Sequence, residues 1–180
     1  KVRVFVRDAK KILGQSWSSN VEIIEGNASN GADLDRALDG VHTAYYLLHS
    51  INVATDFGDI ESAMAKGFAD AAERASISQI IYLGGIAIDE NRSRHLTSRM
   101  NTGTQLASGK VPVLELRAGI IIGSGSASFE MLRHLTHRLP IMTTPKWVSN
   151  RTQPIAIRDV LYYLRSAADL REPVSSIRDI

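Results

Sequence analysis

The chain has 180 residues, 44% of them hydrophobic, with 21 Lys and Arg against 19 Asp and Glu for a formal net charge of +2, and it contains no cysteine. That length can bury one substantial core. The charges are spread without a dense Lys/Arg run, which argues against a nucleic-acid or membrane-surface patch. The absence of cysteine excludes disulfides, thiolate catalysis and cysteine metal sites, and fits a reducing compartment. No apolar run approaches a membrane span and no charged-then-apolar leader precedes the first strand, so a single soluble, cytoplasmic domain over residues 1–180 is expected. The sequence opens at Lys1 without an initiator Met, already inside an alternating strand pattern, and closes inside a short strand near residues 175–180. It reads as part of a longer chain.

Val2 to Val6 is expected to be a strand with Val2, Val4 and Val6 on one face, and Val21 to Glu25 a second strand after a polar segment containing Trp17. Asp33 to Asp39 reads as a short helix closed by Gly40. Val41 to His49 is too apolar to have one face in water and reads as a buried strand. In DFGDIESAMAKGFADAAERA the residues Phe57, Ile60, Met64, Phe68, Ala71 and Ala75 recur at helical spacing, which predicts an amphipathic helix lying on a sheet. Gln79 to Gly84 is a further buried strand, followed by a polar loop and a helix from Thr97 to Ala107. Pro112 to Ile122 is another strand, and Ser128 to Leu139 a helix with Phe129, Leu132, Leu135 and Leu139 inward. IRDVLYYLRSAADL gives a last helix. Strands alternating with helices in this way imply right-handed crossovers and an α/β fold with a doubly wound parallel sheet.

Ligands of such sheets sit beyond the carboxyl ends of the strands, so the strand ends carry the candidate site. Arg7 ends the first strand, where an arginine either is solvated or pairs with the 2′-phosphate of a dinucleotide. Gly26 and Asn27 end the second, and a short amide there either makes an Asx turn or bonds an adenine edge. Leu48 and His49 end the third; a histidine beside apolar residues can touch a ligand or simply pack. Gly84 and Gly85 end the fourth, where paired glycines mark a turn or the close approach of a ligand or another backbone.

In order, VRVFVRD, VEIIEGN, AYYLLHS, IIYLGGI, HLTSR and LRAGIIIGSGSASFEML resemble the atypical short-chain dehydrogenase/reductase family, over nearly all of the chain. The likeness is to NAD(P)-binding, nucleoside-diphosphate-sugar-epimerase-like and NmrA-like members. It implies a Rossmann-like fold lacking its first strand, glycine loop and helix, and it places Arg7 toward the adenosine and Asn27 where the family has an adenine-contacting Asp. It also implies a Ser or Thr after the fourth strand present here and a Tyr-x-x-x-Lys pair on the next helix, the groups that exchange a proton with the substrate oxygen while the nicotinamide exchanges hydride. Here Gly84-Gly85 stands in the first place, and His95 and Arg99 in the second. His95 can donate a proton near neutral pH and Arg99, one turn on, can hold a ribose or phosphate, or both belong to a solvated basic helix start.

Residues 119–129, GIIIGSGSASF, have the look of a phosphate-cradling turn. The third glycine of the dinucleotide fingerprint is replaced by Ser128, and Pro145 and Lys146 fall where its acid is expected, roughly twenty residues on. By resemblance, Gly119 and this loop follow the sixth strand of the complete fold and border the nicotinamide and substrate. Ser126 or Ser128 then caps the following helix or docks a substrate anion, and Arg117 is either a buried ion-pair partner or a lining of the same pocket. Glu130, His134 and His137 share a helix face with Arg133 and Arg138, which marks a solvated face rather than a metal site. These readings converge on an NAD(P)-binding oxidoreductase, NADP preferred over NAD, acting on an unknown small molecule, with a homo-oligomer or a protein partner open. A non-catalytic NADP-sensing regulator is the alternative; sugar-nucleotide epimerase chemistry is weakened by the absence of the tyrosine.

Overall fold

The computed structural model describes residues 1–48, 57–86, 94–123, 127–138 and 153–180. In chain order the elements are β1 (Val2–Val6), β2 (Val21–Glu25), α1 (Gly31–Leu38), β3 (Thr43–Tyr46), α2 (Phe57–Arg74), β4 (Gln79–Gly85), α3 (Arg94–Ala107), β5 (Val113–Ala118), β6 (Ile121–Ile122), α4 (Ala127–Arg138), β7 (Ile155–Ala156), α5 (Ile157–Ala168) and β8 (Ser176–Asp179). Short 3₁₀ turns at Ala9–Lys11 and Ser18–Asn20 join β1 to β2.

Among the described residues every strand pairing is parallel. β1 pairs β2, with Val2 opposite Val21; β3, β4, β5 and β8 form a sheet in that order, with Ile80 opposite Val113 and Leu114 opposite Ser176; β6 pairs β7. Residues of β4 are buried along almost its whole length, as expected for a parallel strand covered on both faces. On one face Ile80 and Tyr82 pack with Leu34 and Leu38 of α1, Ala65, Phe68 and Ala72 of α2 and Leu106 of α3. On the other, Ile81, Leu114 and Leu116 pack with Leu164 and Ala167 of α5. Helices on both faces of a parallel sheet make the doubly wound, Rossmann-like architecture.

Phe5 of β1 packs on the same core as Ala44 and Tyr46 of β3, yet among the described residues β1 and β3 share no ladder. The pair β1–β2 thus forms a ladder of its own that joins the larger sheet through Phe5. In a doubly wound sheet the strand order reverses between such a pair and the next strand of the chain, here β1 and β3.

Several local expectations are corrected. α1 starts two residues early because the Asn30 side chain accepts from Ala32 N and Asp33 N, and Gly40 takes φ 66° just past its end. In α2 Met64, Phe68, Ala71 and Ala75 pack on the core as expected, but Ile60 is 51% exposed and Glu61 is buried in its place. Leu135 of α4 faces out at 41% exposure. The strand expected over residues 112–122 breaks into β5 and β6 at Gly119-Ile120, and the short partner β7 carries no pattern long enough to read.

Candidate functional site

At the end of β1, Arg7 is exposed and its guanidinium makes no ion pair or side-chain hydrogen bond among the described residues. Beside it, β2 runs into Gly26, where a Cβ would fall 2.7 Å from the Phe5 ring and 2.9 Å from Asp33 Cγ. Glycine is thus required for α1 to close on the strand end. Asp33 Oδ2 accepts from Asn27 N at 2.9 Å, and Arg36 donates to Asp33 Oδ1 and to the Glu25 carbonyl at 3.0 and 2.8 Å. Asn27 Oδ1 accepts from Ser29 N at 3.0 Å, an Asx turn that leaves the side-chain nitrogen without a partner among the described residues and pointing from a fixed frame.

Leu47 and Leu48 follow β3 at 51% and 38% exposure, an uncovered apolar pair at the switch point of the sheet. His49 lies outside the described residues.

The end of β4 is enclosed. A Cβ on Gly84 would lie 2.8 Å from Glu115 Oε1, and one on Gly85 3.1 Å from Leu96 Cδ2 and 3.4 Å from Arg99 Cδ. The glycine pair therefore admits α3 and the Glu115 carboxylate, and it brings Arg99 over the strand end. His95 lies in the first turn of α3, one turn before Arg99; its side chain is outside the described residues. Arg99 is half-buried, its carbonyl accepts from Tyr82 Oη at 2.9 Å, and its guanidinium has no acid partner among the described residues.

Beneath this end lies a polar cluster inside the apolar core. Ser98 of α3 donates to Glu61 of α2, both buried, which pins the two helices together. Tyr46 stacks edge-on with Phe68 and Tyr82 at 5.0 and 6.1 Å. Burial, reinforced by Glu61, pushes the Tyr46 hydroxyl up to about 12. Burial, reinforced by Glu115 and opposed by Arg99, pushes that of Tyr82 up as well. Both phenols stay neutral near pH 7, so neither is set up as a base.

Gly119 follows β5, where a Cβ would collide with the Gln153 carbonyl; the next residue's carbonyl accepts from Ile155 N at 3.0 Å as β6 and β7 pair. Arg117 proves to be an ion-pair partner, its Nε 2.7 Å from Glu115 Oε1. Helix α4 already includes Ala127 and Ser128; Ser126 is outside the described residues. Glu130 is paired with Arg133 at 2.7 Å, and His134 and His137 are exposed. The residues that sequence reasoning passed over are Glu61, Ser98 and Glu115. Their only signal is polarity at inward positions, and Glu115 in VLELRA is the one that stands out.

The sequence pattern of the NAD(P)H-binding family matches residues 1–110, more than half of the chain. The chain belongs to that family. No match was found among curated proteins. Among solved structures it is similar to the Bordetella bronchiseptica enzyme WbmG in complex with NAD and UDP, at 14% identity and TM-score 0.75, over 100% of this chain and 64% of that one. A Staphylococcus aureus nucleoside-diphosphate-sugar epimerase matches at 14% identity and TM-score 0.76, over 99% of this chain and 61% of that one. The Citrobacter sp. triphenylmethane reductase complexed with NADP(H) matches at 20% identity and TM-score 0.58, over 75% and 45%. At these identities the likeness establishes the Rossmann-like fold, and the chain spans less than two thirds of each of these proteins.

Proposed function

We propose that the chain is the dinucleotide-binding part of an NAD(P)-dependent oxidoreductase of the atypical short-chain type, acting on a small molecule and preferring NADP. The observation that carries the preference is Arg7: an exposed guanidinium, unpartnered among the described residues, at the carboxyl end of the strand that borders the switch point, where a 2′-phosphate is met. Asn27, with a fixed backbone and a free amide nitrogen, suits an adenine edge. Leu48 and His49 are assigned to the crevice beyond the switch, and Gly26, Gly84, Gly85 and Gly119 line it through their backbone at the strand ends, where they let Asp33, Glu115, Arg99 and the Gln153 carbonyl approach. The nicotinamide, when bound, supplies hydride transfer. His95 gives or takes the substrate proton, and Arg99, held over Gly85, orients a ribose or phosphate.

A second reading is favoured by one specific observation, the replacement of the Tyr-Lys pair by His95 and Arg99. In that reading the fold senses NADP and passes the signal to a protein partner without turnover.

Fluorescence titration of NADPH and NADH against the full-length protein tests both. Saturable binding with NADPH preferred is expected, and Arg7→Glu should weaken NADPH by roughly ten- to a hundredfold while sparing NADH, since one charge-assisted contact is lost. Equal losses for the two would remove the 2′-phosphate role. Turnover with an aldehyde, quinone or sugar nucleotide favours the enzyme; tight binding without turnover favours the sensor.

A further inference from the structure

On the α3 face of the sheet, away from the switch point, an open groove of about 710 Å³ runs between the second half of α3 and the outer strands β5 and β8. Its lining includes Gly103, Thr104, Lys110, Glu115, Arg117 and Ile177. Glu115 is 5% exposed, a carboxylate in the middle of β5, whose one other charged residue is Arg117. Two glycines make room for it. A Cβ on Gly103 would lie 2.5 Å from Glu115 Oε2, and one on Gly84 2.8 Å from Oε1. Glycine inside a helix is less favourable than alanine, and burying a carboxylate costs more again before its partner offsets it. Apolar pairs in the place of buried ion pairs are often as stable, so the ion pair is weak evidence of a purely stabilising role.

What the arrangement does is fix Arg117. Its Nε is bonded to Glu115 at 2.7 Å and its side chain is 23% exposed, while the two terminal nitrogens have no partner among the described residues. Asp179 is its register partner on β8 and makes no ion pair with it. Lys110, the other cation of the lining, is paired with Glu73. A guanidinium held through Nε presents its end-on fork of two N–H groups, the geometry that takes a carboxylate or phosphate oxygen pair.

We propose that Arg117 anchors a second ligand site, distinct from the dinucleotide crevice, for a small molecule bearing a carboxylate or phosphate. Glu115 is the positioning residue that aims it, and the groove between Thr104 and Ile177 receives the body of the ligand.

The test is an amide NMR titration of the full-length protein with inorganic phosphate and, separately, with acetate, each with and without saturating NADPH. Saturable shifts are expected at Gly103, Ala107, Ser176 and Ile177. Arg117→Lys, which keeps the charge and the ion pair but loses the fork, should raise the half-saturating concentration roughly tenfold. Asp179→Asn should lower it. The proposal is overturned by shifts that fail to saturate at tens of millimolar, by shifts unaltered in Arg117→Lys, or by loss of phosphate binding on NADPH addition, which would assign the anion to the dinucleotide's own site. If phosphate binds and acetate does not, the ligand class narrows to phosphates.

Discussion

Two glycines within helices look alike in sequence and differ in consequence. Gly67 of α2, in AKGFA, has nothing within 4 Å of the place a methyl would occupy, whereas Gly103 of α3, in NTGTQ, faces the Glu115 carboxylate. Gly67→Ala should stabilise by about 0.5–1 kcal/mol through the smaller entropy of the unfolded chain. Gly103→Ala receives the same gain but drives a methyl into an acid that Arg117 holds in place, for a net loss of about 1–3 kcal/mol. Urea unfolding of the two variants reads the difference directly. If both are stabilised, Glu115 is free to move and its positioning of Arg117 fails with it. No pattern around residue 103 announces this, since the deciding neighbour sits on the following strand. Arg7, by contrast, is legible, because the end of an alternating strand names its own place in a parallel sheet.

At the level of elements, strands β1, β2 and β4 follow from their runs of Val and Ile, and α2 from its periodicity. The periodicity gives the inward face of α2 at Met64, Phe68, Ala71 and Ala75 but misses one position, where Glu61 is turned inside by its hydrogen bond with Ser98 and Ile60 faces out. A side-chain bond between two helices outweighs the preference of one apolar residue, and that partner cannot be read from α2 alone. Gln79 is a similar case at the start of β4. Read as the first residue of an apolar strand, it is in fact 4% exposed, donates to the carbonyls of Pro112 and Val174 at 2.9 and 3.0 Å, and accepts from Val174 N at 2.6 Å. One side chain thereby ties the segment leading into β8 to the central strand. Gln79→Leu preserves the size and leaves the Val174 N–H and carbonyl without their partner, while the Pro112 carbonyl keeps its bond from Ile80 N, so a loss of about 2 kcal/mol is expected. Hydrogen exchange should show the amides of β8 losing protection before those of β4. A loss below about 1 kcal/mol would mean that water replaces the side chain.

At the scale of the whole molecule, the alternation of strands and helices is enough to specify a parallel doubly wound sheet, and the strand ends are enough to specify where to look for the crevice. The polar cluster between α2, α3 and the sheet is not legible, because each member reads as an ordinary residue of its own element and only packing assembles them. That cluster makes the fold sensitive to alkali. Tyr46 is 2% exposed, and burial first, then Glu61, raises its hydroxyl from 10.0 to about 12, with Tyr82 stacked beside it and also raised. The folded state therefore holds the Tyr46 proton over a range in which the unfolded chain has released it. Stability from this source is complete below about pH 10 and is lost as pH rises through about 12, amounting to on the order of 2–3 kcal/mol. Tyr46→Phe removes the titrating group while keeping the ring stacked on Phe68. Urea unfolding across roughly pH 9 to 12 should show the wild type losing stability faster than Tyr46→Phe, with lysines and exposed tyrosines contributing equally to both. Parallel curves would show that water reaches the Tyr46 hydroxyl and that the cluster beneath Arg99 is open rather than sealed.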